Sequence, residues 1–296
     1  MSTPLPPLWV IGAGRLGATL LRDLAVAGVA VRGWARPSPR RDLVQAWLRA
    51  QGLQGVELAA ELPPDLPAVV LAVPDREIAS AAAALRQQGA RMEVLLHCAG
   101  AMPVDPLRVS AALACGSCHP LAAVPDPLAP RPAPSPLQGA LFAVDGDPAA
   151  LALARQLAEV LGGVAVAVAA EQRAAYHAAA ALIANDWVAL ADAALRTARS
   201  AGLPDAELRR GLLHLASTAL GALQNLPDDQ SLLRGLTGAV ARGDAPTLAK
   251  HLEVIADPQV RELHRQASAL LVEQCRDQGL LPAAAVAQLR AVLRSD

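Results

Sequence analysis

The side chains best suited to move a proton near neutral pH are His97, His119 and His177, because an imidazole ordinarily titrates near 6.5. His97 opens the run His97-Cys98-Ala99-Gly100, His119 closes Cys115-Gly116-Ser117-Cys118-His119, and His177 follows Tyr176, the only tyrosine. Each imidazole either serves a reaction or is held by backbone groups of its own loop. Asn185 is a polar residue two helical turns beyond His177 in an Ala-rich stretch, where a polar group needs a partner. The spelling C-x-x-C-H also occurs where c-type haem is attached. Here it falls on an apolar, strand-like segment with no export signal and no second cysteine pair for zinc, so buried thiols are expected. Lys250 is the only lysine, which disfavours chemistry that needs a catalytic lysine.

A second constellation lies near the N-terminus. Gly12-Ala13-Gly14-Arg15-Leu16-Gly17 fits G-x-G-x-x-G, follows the apolar run Leu8–Ile11 and opens an amphipathic stretch. The first glycine permits a tight turn, the second lets a diphosphate reach the backbone, and the third lets a helix pack on the sheet. The free N–H groups at the helix start then face the phosphates. Dinucleotide binding is the expectation. An acid about 20 residues on would select NAD through the ribose 2′-OH. The next strand instead runs into Gly33-Trp34-Ala35-Arg36-Pro37-Ser38-Pro39-Arg40-Arg41, with no acid before Asp42. Arg36 and Arg40 suit a 2′-phosphate and Ser38 offers it a donor. NADP is therefore the predicted cofactor.

These groups need a scaffold. With 296 residues, 53% hydrophobic and 18% charged, the chain has material for two domains with large cores. A net charge of −1 and 2% aromatic residues argue against a nucleic-acid partner. The N-terminus lacks a basic segment before an apolar one, so a cytoplasmic location with four reduced thiols is expected. The Ala-rich run from Leu151 to Leu190 is interrupted by Arg155, Glu159, Glu171, Arg173 and Asp186, and does not read as a membrane span.

Apolar strand-length runs at Leu8–Ile11, Val29–Val31, Ala68–Val73, Val94–Leu96, Cys115–His119, Leu141–Val144 and Val164–Val168 alternate with helical periodicity at 15–27, 75–85 and 148–161. This predicts an α/β fold, a doubly wound Rossmann sheet of parallel strands. Prolines at 120, 125, 127, 130, 132, 134 and 136 make an extended connector. After Glu171 the strand signal stops. One long helix is expected over 171–201, then helices over 203–226, 244–255 and 258–278, which makes an all-α second domain. The boundary is set near 170, giving domains 1–170 and 171–296. Val73, Pro74 and Gly100 follow strands and should line the nicotinamide end of the cofactor, with Asp75 as N-cap of the next helix.

The segments Val10–Gly17, Val73–Asp75, His97–Ala101, Ser117–Leu121, Tyr176–Ala180 with Asn185, and Leu236 to His251 together resemble a known two-domain family. In it a Rossmann domain precedes a helical domain of unknown function, and members carry the provisional label of NADP-dependent oxidoreductases. The family is in turn similar to pyrroline-5-carboxylate reductase and the 6-phosphogluconate dehydrogenase-like superfamily, whose helical domain often dimerises and closes the active site. The resemblance implies a homodimer, and the composition of the candidate site points to a small carbonyl or imine substrate in an interdomain cleft. His177, Asn185, His119 and His97 are its candidate catalytic residues, and Thr237 and Arg242 its candidate substrate contacts. The chain departs from the pattern at Ala99, Ala184 and Ala239. A non-catalytic NADP(H)-binding sensor or partner-binding protein is the alternative.

Overall fold

The computed structural model describes residues 5–109, 112–129 and 134–294. By its internal contacts the chain divides into two compact units, 1–184 and 185–296.

The first unit is built on an eight-stranded sheet: β1 (Leu8–Ile11), β2 (Val31–Trp34), β3 (Leu58–Ala59), β4 (Asp65–Leu71), β5 (Arg91–His97), β6 (Ala112–Pro120), β7 (Leu141–Gly146) and β8 (Val164–Ala167). Their order across the sheet is β3-β2-β1-β4-β5-β6-β7-β8. The helices between them are α1 (Arg15–Val26), α2 (Pro39–Ala50), α3 (Ile78–Gln87) and α4 (Pro148–Val160). Successive strand residues face opposite sides. Leu8 and Val10 join a core under α1, α2 and α4, while Trp9 and Ile11 join one under α3. Both faces are covered, which makes this the doubly wound Rossmann-like arrangement expected.

The order places a switch point between β1 and β4, because the chain winds one way from β1 to β3 and the other way from β4 onward. A crevice opens at the carboxyl ends of such a pair. β4, β5 and β6 run parallel in sequence from there, so the loops after Ile11, Leu71, His97 and Pro120 share one edge of the sheet.

Four details differ from expectation. β2 begins at Val31, where it pairs with Leu8, and reaches Trp34. β7 pairs antiparallel with β6, Pro120 opposite Phe142 and Gly116 opposite Gly146. A parallel neighbour needs a crossover element, and the proline-rich return folds no helix among its described residues; 130–133, with Pro130 and Pro132, lie outside them. Asp75 is not a cap. Pro74 holds the N-cap position of a 3₁₀ turn, Asp75–Glu77, that leads into α3, and no side chain caps it. The helix expected over 171–201 is two, α5 (Arg173–Ala184) and α6 (Asp186–Ser200), after a 3₁₀ turn at Ala170–Gln172. At Asn185 the backbone stays near helical, but the Val188 amide donates to the Asn185 carbonyl, one residue short of α-helical reach. The break in contacts falls at this junction rather than near 170, because α5 holds the sheet's edge through Arg173 and Tyr176.

The second unit holds α6, α7 (Asp205–Gln224), α8 (Ala245–Val254), α9 (Pro258–Asp277) and α10 (Ala283–Arg294). Leu248, Val272, Val286 and Leu289 centre a core shared by α8, α9 and α10. By length and mean hydropathy (1.4 over an 18-residue window) the stretch Ala170–Ser200 meets the requirement of a membrane span. Of the charges along this part of the chain, Arg155 and Glu159 precede the stretch, Glu171 and Arg173 stand at its start, and Asp186 lies in its middle. Only 6% of the window is buried.

Candidate functional site

The glycine loop turns out of β1 as its composition demands. Gly12 has φ +119°, a backbone conformation closed to side chains, and a Cβ there would run into the Ala72 carbonyl. A Cβ on Gly17 would run into the Gly12 carbonyl, so α1 sits directly on the turn. Gly14 is the opposite case: no atom lies within 4 Å of where its Cβ would be. It is also the N-cap of α1, without a capping side chain, so the amides of Arg15, Leu16 and Gly17 open the helix.

Ile11, Gly12, Ala13 and Gly14 line a cleft of about 660 Å³. Val73 and Pro74 close it from β4, α3 bounds it, and Arg36, Ser38 and Arg40 stand on its β2 side. These three side chains are differently employed. Ser38 is the N-cap of α2, its Oγ accepting from the Arg41 amide at 3.2 Å, which leaves its O–H free to donate. Arg40 is engaged: it donates to both carboxylate oxygens of Asp126 at 2.8 Å and to the Ala13 carbonyl at 3.3 Å. The paired guanidinium pulls the Asp126 carboxyl down to about 2. Arg36 is exposed and has no ion-pair partner among the described residues. The acid in the lining is Glu77, at the foot of α3 rather than the end of β2. Arg15 is exposed and Leu16 half-buried against the core.

Two strands further along the same edge, α5 meets the loops after β5 and β6. Arg173, whose side chain is fully buried, is the anchor. It donates to the carbonyls of Ala99 (3.3 Å) and Gly100 (3.2 Å) and to the Ser117 hydroxyl. Its Nε stands 3.7 Å from Asp145 Oδ2, inside charge attraction but beyond hydrogen-bond reach, and has no hydrogen-bond partner. Burial lowers the arginine's pKa, and Asp145 opposes that.

His97, His119 and His177 gather here but are not equivalent. His97 is fully buried; its Nδ1 accepts from the Ala99 amide and its Nε2 meets the Pro103 carbonyl, each at 3.1 Å. Both nitrogens thus serve the loop. Burial, then Arg173, hold its pKa down to about 4. His119 Nδ1 lies 2.9 Å from the Tyr176 hydroxyl, the rings edge-on at 5.6 Å. Its pKa also falls to about 4, through burial first, then the charges of His177 and Arg173. The His177 ring is 6.0 Å from that of His119. A methyl on Gly100 would stand 2.5 Å from His177 Nδ1 and 2.9 Å from His119 Nε2. Glycine therefore keeps open a point on which two imidazole nitrogens converge.

Other candidates lie apart. Gly100 belongs with these histidines and is not among the lining of the cleft beside Gly12. Asn185 is exposed at the α5–α6 junction and its side chain caps nothing. In the second unit Thr237 and Arg242 are exposed. Asp244 caps α8, accepting from the Thr247 amide (3.1 Å) and hydroxyl (2.7 Å), and no ion pair joins it to Arg242 among the described residues. The two cysteines of C-x-x-C-H face opposite sides of the sheet, Cys115 in the α3 core and Cys118 in the other. Three residues apart on a strand they cannot grip one haem. No disulfide joins any of the four cysteines. Arg173 and Tyr176 were not singled out from sequence. A tyrosine that occurs once, next to a candidate histidine, was the available signal; nothing in an Ala-rich helix marks one arginine as buried.

Residues 140–270 match a domain of unknown function (DUF2520). The DUF2520 segment begins at β7 and ends in α9, so it contains Asp145, Arg173, Tyr176 and His177 and excludes the glycine loop, Gly100 and His119. Comparison with curated proteins gives no match. Among solved structures, a Bacteroides fragilis protein provisionally described as an NADP oxidoreductase superposes with a TM-score of 0.69 at 19% identity, covering 90% of this chain and 98% of that one. A Thermotoga maritima protein gives 0.65 at 24% identity, covering 92% and 99%. The pyrroline carboxylate reductase of Plasmodium falciparum, with NADP bound, gives 0.55 at 10% identity, covering 89% and 97%. The chain thus has the fold its sequence resemblance implied: a Rossmann-like sheet followed by a helical part carrying DUF2520.

Proposed function

We propose that this protein is an NADP(H)-dependent oxidoreductase that reduces a small carbonyl or imine compound. One observation carries the reading. The glycine loop, with Gly14 open to an approaching diphosphate, shares a sheet edge with the imidazoles of His119 and His177 over Gly100. β6 lies three strands from β1, about 14 Å at about 4.8 Å per strand. A reduced nicotinamide, when bound, supplies the hydride. The chain's own part is to hold the phosphates on the Gly14–Gly17 amides, to shape the cleft with Val73 and Pro74, and to offer hydrogen bonds where charge develops on the substrate. NADP over NAD is supported by Arg36, the cation left unpaired in the cleft, and by the free O–H of Ser38; Arg40 is already neutralised by Asp126. The related Plasmodium falciparum structure, described with NADP bound, supports a nicotinamide dinucleotide as cofactor.

The reading includes a cytoplasmic homodimer. Four cysteines with no disulfide between them favour the reducing compartment. In the second unit Val188 and Leu215 are 63% and 64% exposed, and α6 and α7 enclose an apolar groove lined by Trp187, Leu195, Leu212 and Ala216. A patch of this kind marks an association surface, and a second copy suits it. Sedimentation velocity should show a dimer that Leu215→Asp dissociates; a monomeric wild type rejects this part.

Fluorescence titration with NADPH and NADH tests the cofactor, followed by absorbance of the reduced nicotinamide with a panel of carbonyls and imines. NADPH should bind more tightly than NADH. Arg36→Ala should weaken NADPH about tenfold, roughly 1.4 kcal/mol, and leave NADH unchanged. Absence of binding by either dinucleotide overturns the function, and an unaltered NADPH affinity in Arg36→Ala overturns the phosphate assignment.

A further inference from the structure

We propose that Tyr176 holds His119 as a neutral imidazole with its Nε2–H directed over Gly100, where it hydrogen-bonds and then protonates the oxygen of a carbonyl substrate. This rests on the reductase reading and names its substrate class and its proton donor. Tyr176 makes His119 a donor, and so is a positioning residue.

The geometry comes first. His119 Nδ1 and the Tyr176 hydroxyl are 2.9 Å apart. A phenol is a good donor and a poor acceptor, whereas an unprotonated ring nitrogen is a good acceptor, so the strong pairing is O–H···Nδ1. Burial raises the phenol's pKa, which keeps that proton in place. With Nδ1 accepting, the single ring proton sits on Nε2, which lies 2.9 Å from the vacant Cβ position of Gly100, beside His177 Nδ1 at 2.5 Å. The loop that presents Gly100 is pinned by Arg173 through two carbonyls.

The hydrogen bond offered here selects the substrate. The groups around the ring are Tyr176, His177 and Arg173 from α5, with neutral His97 from β5. Asp145 from β7 faces Arg173 and offsets its charge. An N–H offered at this point suits an acceptor that gains negative charge in the reduction, as a carbonyl oxygen does, whereas an iminium nitrogen has no lone pair with which to accept it. A carbonyl oxygen therefore fits the point over Gly100, and a protonated imine does not. A reduced nicotinamide, when bound, would supply the hydride for the new C–H bond at the carbonyl carbon. The C=O π pair moves to oxygen, oxygen takes the Nε2 proton, and Nδ1 takes the proton of Tyr176. After product leaves, Nε2 gains a proton from solvent and Nδ1 returns its own to Tyr176.

The test is NMR of protein labelled with ¹⁵N-histidine, read without any ligand, beside turnover by the NADPH-loaded enzyme. His119 should show the Nε2–H tautomer and should not titrate between about pH 5.5 and 8. Tyr176→Phe should populate both tautomers and lower turnover of ketones and aldehydes about tenfold or more, with NADPH affinity unchanged. A His119 protonated on Nδ1, a midpoint near 6.5, or a tautomer indifferent to Tyr176→Phe overturns the assignment. Turnover confined to cyclic imines overturns the substrate class. Failure of NADPH to bind defeats the reductase reading separately, since the tautomer is measured without cofactor.

Discussion

Replacing Arg173 with Met keeps the length of the side chain and removes its charge. The guanidinium is wholly buried, faces Asp145, and donates to Ala99, Gly100 and Ser117. Breaking a buried ion pair from one side costs about 3–5 kcal/mol, because the remaining charge stays without a partner. The Asp145 side chain is 29% exposed, so water screens what is left behind and the lower end applies. Two orphaned carbonyls add to the loss, at about 1 kcal/mol or more each if water cannot reach them. We expect a loss of about 3–5 kcal/mol, against about 5–15 kcal/mol for a whole domain. Urea unfolding followed by tryptophan fluorescence measures it, since Trp9, Trp34 and Trp47 all lie in the first unit. Arg173→Met with Asp145→Asn should be less damaging than the sum of the single changes, because the orphaned charge is gone. A loss below about 1 kcal/mol, or strict additivity in the double variant, would refute the reasoning.

Acid should weaken the fold through its histidines. His97 and His119 have folded pKa values near 4, below the unfolded value of about 6.5, so the unfolded chain binds more protons between those limits. Their contribution is complete above about pH 6.5 and declines as pH falls toward 4, by up to about 1.4 kcal/mol per pH unit for each ring, somewhat less for the partly exposed His119. Urea midpoints at pH 7 and pH 5 read this, and His97→Gln should flatten the dependence. Asp126, held near 2 by Arg40, changes charge only below this window. Gly100→Ala should cost about 1–3 kcal/mol by overpacking, since the methyl enters the space between His119 and His177. Thermal unfolding measures that, and an unchanged midpoint would mean the two rings yield freely.

Much of the first unit was legible in the chain. β1 and most of β4 read as continuous apolar runs because they are buried on both faces, whereas β8 was legible by its β-branched residues although it is largely exposed. The glycine loop could be read because steric demands act locally: Gly12, Gly14 and Gly17 are constrained by one turn and its helix. Other elements gave weaker signals. α2 was hidden inside a polar basic stretch, with only Val44 and Leu48 fully buried. α10 followed the last strong helix without a distinct start, and β3 is two residues long. The antiparallel return of β7 depended on the absence of a crossover helix, which proline content suggested but did not determine.

Residue types and spacing alone pointed to a dinucleotide-type phosphate loop, a two-part chain and three candidate histidines. What those histidines do was decided by tertiary structure. His97 spends both nitrogens on its own loop, whereas His119 and His177 meet over Gly100, because strands β5 and β6 are neighbours and α5 crosses their ends. Arg40, which the sequence offered for a phosphate, belongs to Asp126, a residue 86 positions away. Arg173, one charge among several in an Ala-rich stretch, became the anchor of the loop at the sheet's edge. Pairing between distant side chains depends on which elements the sheet order brings together, and no local pattern encodes that.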